Sequence, residues 1–163
     1  MRIRRGFTIV EAVIATAIVA GMCVTALTTV AFSVHFQGKA ADRALGGFLA
    51  QAMIDEIVSQ AYQDPNYATV TLGPDPGESP SLRANWNDVD DYNGWSESPL
   101  QNKDGSVIPN TAGWQRSVVV AWVQTSNPSQ TSTTETGCKL ITVTVTHNGF
   151  PVATRTALRT NAP

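Results

Sequence analysis

Glu11 is the one acid at the head of an apolar run in which no further Asp, Glu, Lys or Arg occurs until Lys39. About 20 apolar residues suffice to cross a bilayer, so this carboxylate belongs to a segment of membrane length. An ionised side chain in hydrocarbon costs roughly 2.5–3.5 kcal/mol and calls for a partner or a function. Snorkelling to the interface is the plain alternative, but apolar residues flank Glu11 on both sides. A second group of chemically able residues is the run Asn87-Asp88-Val89-Asp90-Asp91-Tyr92-Asn93-Gly94. A hard cation such as calcium takes several carboxylate, amide and carbonyl oxygens, which makes Asp88, Asp90, Asp91 and Asn93 candidate ligands. The spacing departs from an EF-hand loop: Tyr92 stands where a third ligand belongs, the glycine falls one place late, and no glutamate closes the loop. Asx-turns with solvated acids account for the same residues, so both readings stand. No other cofactor is expected. His35 and His147 belong to no nucleophile or metal spacing, His147 reading as a solvated turn residue, and neither a G-x-S-x-G elbow nor a P-loop occurs. The chain is not expected to be an enzyme.

The residues around Glu11 carry a resemblance. Arg5-Gly6-Phe7-Thr8-Ile9-Val10-Glu11 resembles the class III signal of the type IV pilin superfamily, which comprises type IV pilins and the pseudopilins of type II secretion and competence. The resemblance implies that a membrane-embedded prepilin peptidase cuts between Gly6 and Phe7 and that the new terminus, Phe7, is N-methylated. It also implies that Glu11 neutralises a Phe7 α-amine and so sets subunit register during assembly. The physical chemistry agrees: glycine lets a protease approach the backbone closely, and an opposite charge within about 4–6 Å favours the charged form of both groups. An ordinary secretory signal would be cut after its apolar stretch, behind small residues, and Gln37-Gly38-Lys39-Ala40-Ala41 is a poor site of that kind.

Charge sets orientation. Arg2, Arg4 and Arg5 precede the segment and few basic residues follow it closely, so the leader is expected in the cytoplasm and the body across the membrane, which the resemblance implies is the inner membrane. Loss of those three arginines takes the formal charge from −2 to −5. Such an acidic chain is a poor partner for nucleic acid, whose phosphates are met by Lys and Arg. Cys23 lies in the apolar segment and Cys138 in a strand-like run, so both are expected to be free.

The elements that must position these groups follow from periodicity. Leu45, Phe48, Leu49, Ala52, Met53, Ile57 and Gln60 recur at steps of three and four, predicting that the helix continues with one face for a core. Gly38 and the Gly46-Gly47 pair weaken it locally. Pro65 predicts an end near Tyr62 to Asp64. Residues 73–113 alternate Pro with Gly, Asn, Asp and Ser and read as a long loop, but Trp86, Trp95 and Tyr92, with Trp114 just beyond, predict that it is ordered around its rings. Trp114 to Val123 contains Val118 to Val123, apolar on both parities, and predicts a central strand. Leu140 to Thr146 alternates, and Asn148-Gly149 predicts a hairpin pairing Val145 with Val152 and Val143 with Thr154.

The expected fold is α+β and pilin-like: a long N-terminal helix, spanning the membrane in its first half, packs its second half on a small antiparallel sheet. The segments are a leader at 1–6, a transmembrane and filament-core helix at 7–37, and an extracytoplasmic domain at 38–163. Trp114, Arg116 and Val118, followed by a strand and an Asn-Gly turn, are similar to minor pilins and minor pseudopilins. The expected function is that of a minor pseudopilin or minor pilin in a type II secretion or type IV pilus filament. Its implied partners are the prepilin peptidase, other pilin or pseudopilin subunits, and an inner-membrane platform with its ATPase. The alternative is a membrane-anchored binding module whose acidic aromatic loop takes calcium or another ligand.

Overall fold

A computed structural model describes Gly6, residues 8–66 and residues 71–161. The leader arginines and Phe7, the expected N-methylation site, lie outside the described residues. The chain divides into two units, Met1–Ala41 and Asp42–Pro163. One helix, α1 (Ile9–Val58), runs through the boundary without a break at Gly38, Gly46 or Gly47.

In the first unit, α1 is apolar on every side and exposed on every side. Its most apolar stretch has a mean hydropathy of 2.1 and none of that window is buried, so it is long and apolar enough to cross a membrane. In the second unit, Gly46, Leu49, Ala50, Met53, Ile54 and Ile57 are buried. Leu45 and Phe48, expected inward, are exposed at 44% and 70%, and Ala52 is exposed as well. The buried stripe has turned because Gly46, lacking a side chain, is where a strand approaches: a Cβ there would lie 2.6 Å from Val152 Cγ2. α1 ends at Val58 rather than near Tyr62, since Ala61 donates its N–H to the Asn87 carbonyl and accepts from Val89 instead of continuing the helix.

Five strands form one antiparallel sheet: β1 (Ser96–Glu97), β2 (Trp114–Gln124), β3 (Asn127–Thr131), β4 (Cys138–His147) and β5 (Phe150–Thr160). Their order is β1-β2-β4-β5, with β3 added beside β2. β2 is central as its valines predict, but only one face is covered: Val118 and Val120 are buried, while Val119 is 55% exposed. On β4, Ile141, Val143 and Val145 are fully buried and pack with Leu49, Met53 and Ile57 of α1 in one core. Period-two alternation thus reads correctly where one face meets a helix.

The hairpin forms at Asn148 (φ 51°) and Gly149 (φ 80°), as a primed turn requires. Its register differs from the expected one: Thr146 pairs with Pro151 and Val145 with Ala153, so Val152 is the extra residue of a bulge and Val143 faces Arg155. Pro151 has no N–H for the ladder, and bulges are where a strand accommodates proline.

The loop from 73 to 113 is ordered around its rings, as the aromatics predict. It carries two 3-10 turns, Arg83–Asn85 and Asp90–Tyr92, and the short β1. Trp86 is buried with its ring edge-to-face against Tyr92 at 4.9 Å and Trp95 at 5.1 Å. Val89 and Leu100, both fully buried, complete this inner layer.

Candidate functional site

Two places carry groups that packing alone does not use, one in each unit.

In the first, Thr8 stands just before α1 with its hydroxyl accepting from the Glu11 N–H at 3.3 Å, and Glu11 lies in the first turn, where an acid complements the helix dipole. Glu11 is exposed and has no ion-pair partner among the described residues. Gly6 is exposed, with no described atom within 4 Å of where a Cβ would stand. Threonines farther along α1 satisfy their own hydroxyls: Thr16 donates to the Val13 carbonyl at 2.9 Å, Thr25 to Met22 at 2.9 Å and Thr29 to Thr25 at 2.8 Å. A helix that faces hydrocarbon requires this, because lipid offers polar groups no partner. Cys23 is exposed and free on the same helix, and Cys138 is buried and free.

In the second unit, the four residues Asp88, Asp90, Asp91 and Asn93 do not form one group. Asp90 is engaged by Lys139, whose Nζ lies 2.7 Å from Asp90 Oδ2 and donates also to the Tyr62 carbonyl at 2.5 Å. The Asn93 side-chain oxygen accepts from the Val120 N–H at 3.0 Å and so binds the loop to β2. Asp88 and Asp91 stay together and are joined by Asp75, one carboxylate oxygen of each lying within 4.8 Å of the others. Asp88 Oδ1 accepts from the N–H groups of Asp90 (2.7 Å) and Asp91 (3.2 Å), while Asp91 Oδ2 accepts from those of Asn87 (3.0 Å) and Asp88 (3.1 Å). These reciprocal Asx-type bonds fix both carboxylates.

A strap upstream completes the group. Gly73 donates its N–H to the Asp90 carbonyl at 2.9 Å, Trp86 Nε1 donates to the Ser79 carbonyl at 2.9 Å, and the Asp75 N–H donates to Glu78 Oε2 at 3.1 Å. Asp75 and Glu78 are thereby laid against the acidic turn. Burial pushes Asp88 up to about 6, with the Asp91 charge adding to it. Burial likewise pushes Asp91 up to about 6, helped by the Glu78 carboxyl beside it, and raises Asp75, where Asp64 and Asp91 add their repulsion. Asp90 rises to about 6 through burial even though Lys139 pulls it down.

Other charges fasten this loop. Arg83 pairs with Glu56 of α1 and stands 3.4 Å from Glu97 of β1, and Arg116 of β2 pairs with Glu97, its Nε 2.7 Å from Glu97 Oε1. Both arginines also donate to the Gln101 carbonyl, at 2.6 Å and 3.0 Å. His147 is not a solvated turn residue: its ring stacks on Trp114 at 4.4 Å and Nδ1 lies 3.1 Å from Asp42 Oδ2. Sequence reasoning misses Asp75, which joins the acidic group, and Lys139, which engages Asp90; a signal exists for Lys139. It occupies the inward parity of β4 with Ile141, Val143 and Val145, and a lysine on a buried face needs an anion. No protein-family model, curated protein or solved structure matches this chain.

Proposed function

We propose that the chain is a filament subunit of pilin type, a minor pseudopilin or minor pilin, held in the inner membrane by α1 until it is drawn into a helical bundle. The observation that carries this reading is the first unit of α1, membrane-length, wholly exposed, with its hydroxyls satisfied internally and one carboxylate near its start. Bundle packing against other subunits covers such a surface, and a Glu11 carboxylate there finds its cation in the α-amine of Phe7 from the same or a neighbouring copy. Cleavage between Gly6 and Phe7 creates that amine, N-methylation modifies it, and the leader stays on the cytoplasmic side. The second unit stands outside the membrane and supplies contacts to other subunits or cargo, and an assembly platform drives insertion.

The test is Glu11→Ala in the producing cell. The variant is expected to be cut at Gly6 as the native chain is, by N-terminal mass spectrometry, yet to fall at least tenfold in the sheared filament fraction. Equal incorporation would sink the register role. A strain lacking the gene then separates the two machines, by loss of secreted enzymes with pili retained or the reverse. An uncut chain at Gly6 would instead favour the anchored binding module, the reading that the carboxylates of Asp75, Asp88 and Asp91 support.

A further inference from the structure

The strap and the acidic turn gather more carboxylates than the surrounding cations neutralise. We propose that Asp75, Asp88 and Asp91 hold one calcium ion, with Glu78 and the side-chain oxygen of Asn87 completing its oxygen shell. This site is independent of the filament reading.

Spacing comes first. Calcium binds oxygen at about 2.3–2.6 Å, so two ligands of one ion lie at most about 5.2 Å apart, and the three carboxylates offer oxygens within 4.8 Å of one another. A separate observation points to something missing between them. Asp91 is only 1% exposed, and its Oδ1 is buried with no hydrogen-bond donor among the described residues. Asn87 Oδ1 and Glu78 Oε1 are buried in the same condition. Buried acceptors are ordinarily satisfied, and an orphaned set of them calls for an ion or water.

No cation among the described residues pairs with the carboxylates of Asp75, Asp88 and Asp91, and Lys139 reaches Asp88 only as a distant charge. Lys139 is committed to Asp90 and the Tyr62 carbonyl. Carboxyls instead face carboxyls, Glu78 against Asp91 and Asp64 against Asp75. The donor set is oxygen only, without His or Cys, which selects a hard cation over zinc or copper. Calcium accepts such an irregular shell of carboxylate and amide oxygens, whereas magnesium demands a near-ideal octahedron. The backbone bonds that hold Asp88 and Asp91 prepare the site before the ion arrives.

The experiment uses the full chain in detergent, stripped with chelator, titrated with calcium chloride by calorimetry and followed by thermal melting. One ion per chain is expected, with a melting temperature raised by roughly 5–10 °C at calcium a hundredfold above Kd. Asp75→Asn and Asp91→Asn are each expected to weaken binding tenfold or more, while Asp104→Asn, at an exposed acid outside the group, leaves it unchanged. Asp91→Asn further separates a site from a merely repulsive cluster: it is expected to raise the calcium-free melting temperature and abolish the response to calcium. Terbium luminescence sensitised by Trp86 and Tyr92 gives a second readout, lost in the same two variants. Absence of heat and of any melting shift up to about 10 mM calcium, beyond the range of extracellular calcium modules, would overturn the proposal. So would a response that Asp75→Asn and Asp91→Asn retain in full.

Discussion

Glu97 lies between two arginines, and all three side chains are sealed from water, with exposures of 1% for Glu97, 1% for Arg83 and 4% for Arg116. Removing one member of a buried ionic group leaves the others charged and unsolvated, which costs about 3–5 kcal/mol. Glu97→Ala is therefore expected to lower stability by roughly that amount in denaturant melts of the full chain. The same variant leaves the apolar part of α1 untouched, so its membrane association should be unchanged. Legibility at this scale follows from distance along the chain. Asp88 and Asp91 are readable as a pair because they share one turn. Asp75 is not, because it reaches them only through the fold of a Pro- and Gly-rich strap, whose path no periodicity encodes. Asp90 looks the same as its neighbours in sequence and differs only because Lys139 arrives from β4.

Elements show a similar division. The identity of α1, the centrality of β2 and the Asn148-Gly149 turn follow from composition, parity and backbone preference. What escapes is the point where two elements touch. At Gly46 a new Cβ would meet Val152 Cγ2 at 2.6 Å and Ala153 Cβ at 3.4 Å, and Val152 is there because of the bulge beside Pro151. Gly46→Ala gains about 1 kcal/mol of helix propensity and loses more to overpacking, typically 1–3 kcal/mol. A net loss is expected in thermal melts, and Val152→Ala in the same chain should recover part of it. If Gly46→Ala alone raised stability, the close approach of α1 and β5 would be refuted. The displaced core stripe, with Phe48 outward and Ala50 inward, is the same contact seen from the helix.

The molecule as a whole combines one unit that buries nothing with another that has a sealed core, and its α+β layout is legible in the change from an unbroken apolar run to helical and then period-two spacing. Val19, 58% exposed in the apolar stretch, tests what the first unit faces. An arginine near the middle of a spanning helix costs roughly 2.5–3.5 kcal/mol. Val19→Arg is expected to reduce the carbonate-resistant membrane fraction, whereas a helix that never enters lipid would show no change.

Glu56, Arg83, Glu97 and Arg116 come from the helix, the loop and two strands, yet they form a single connected group. Losing any one strands the rest, while exchanging all of them for apolar side chains of similar volume is tolerable. Mutational drift therefore has almost no single-step path through these positions. Descendants of this chain should carry the four together or have replaced them together, even where the surrounding loop has diverged beyond alignment.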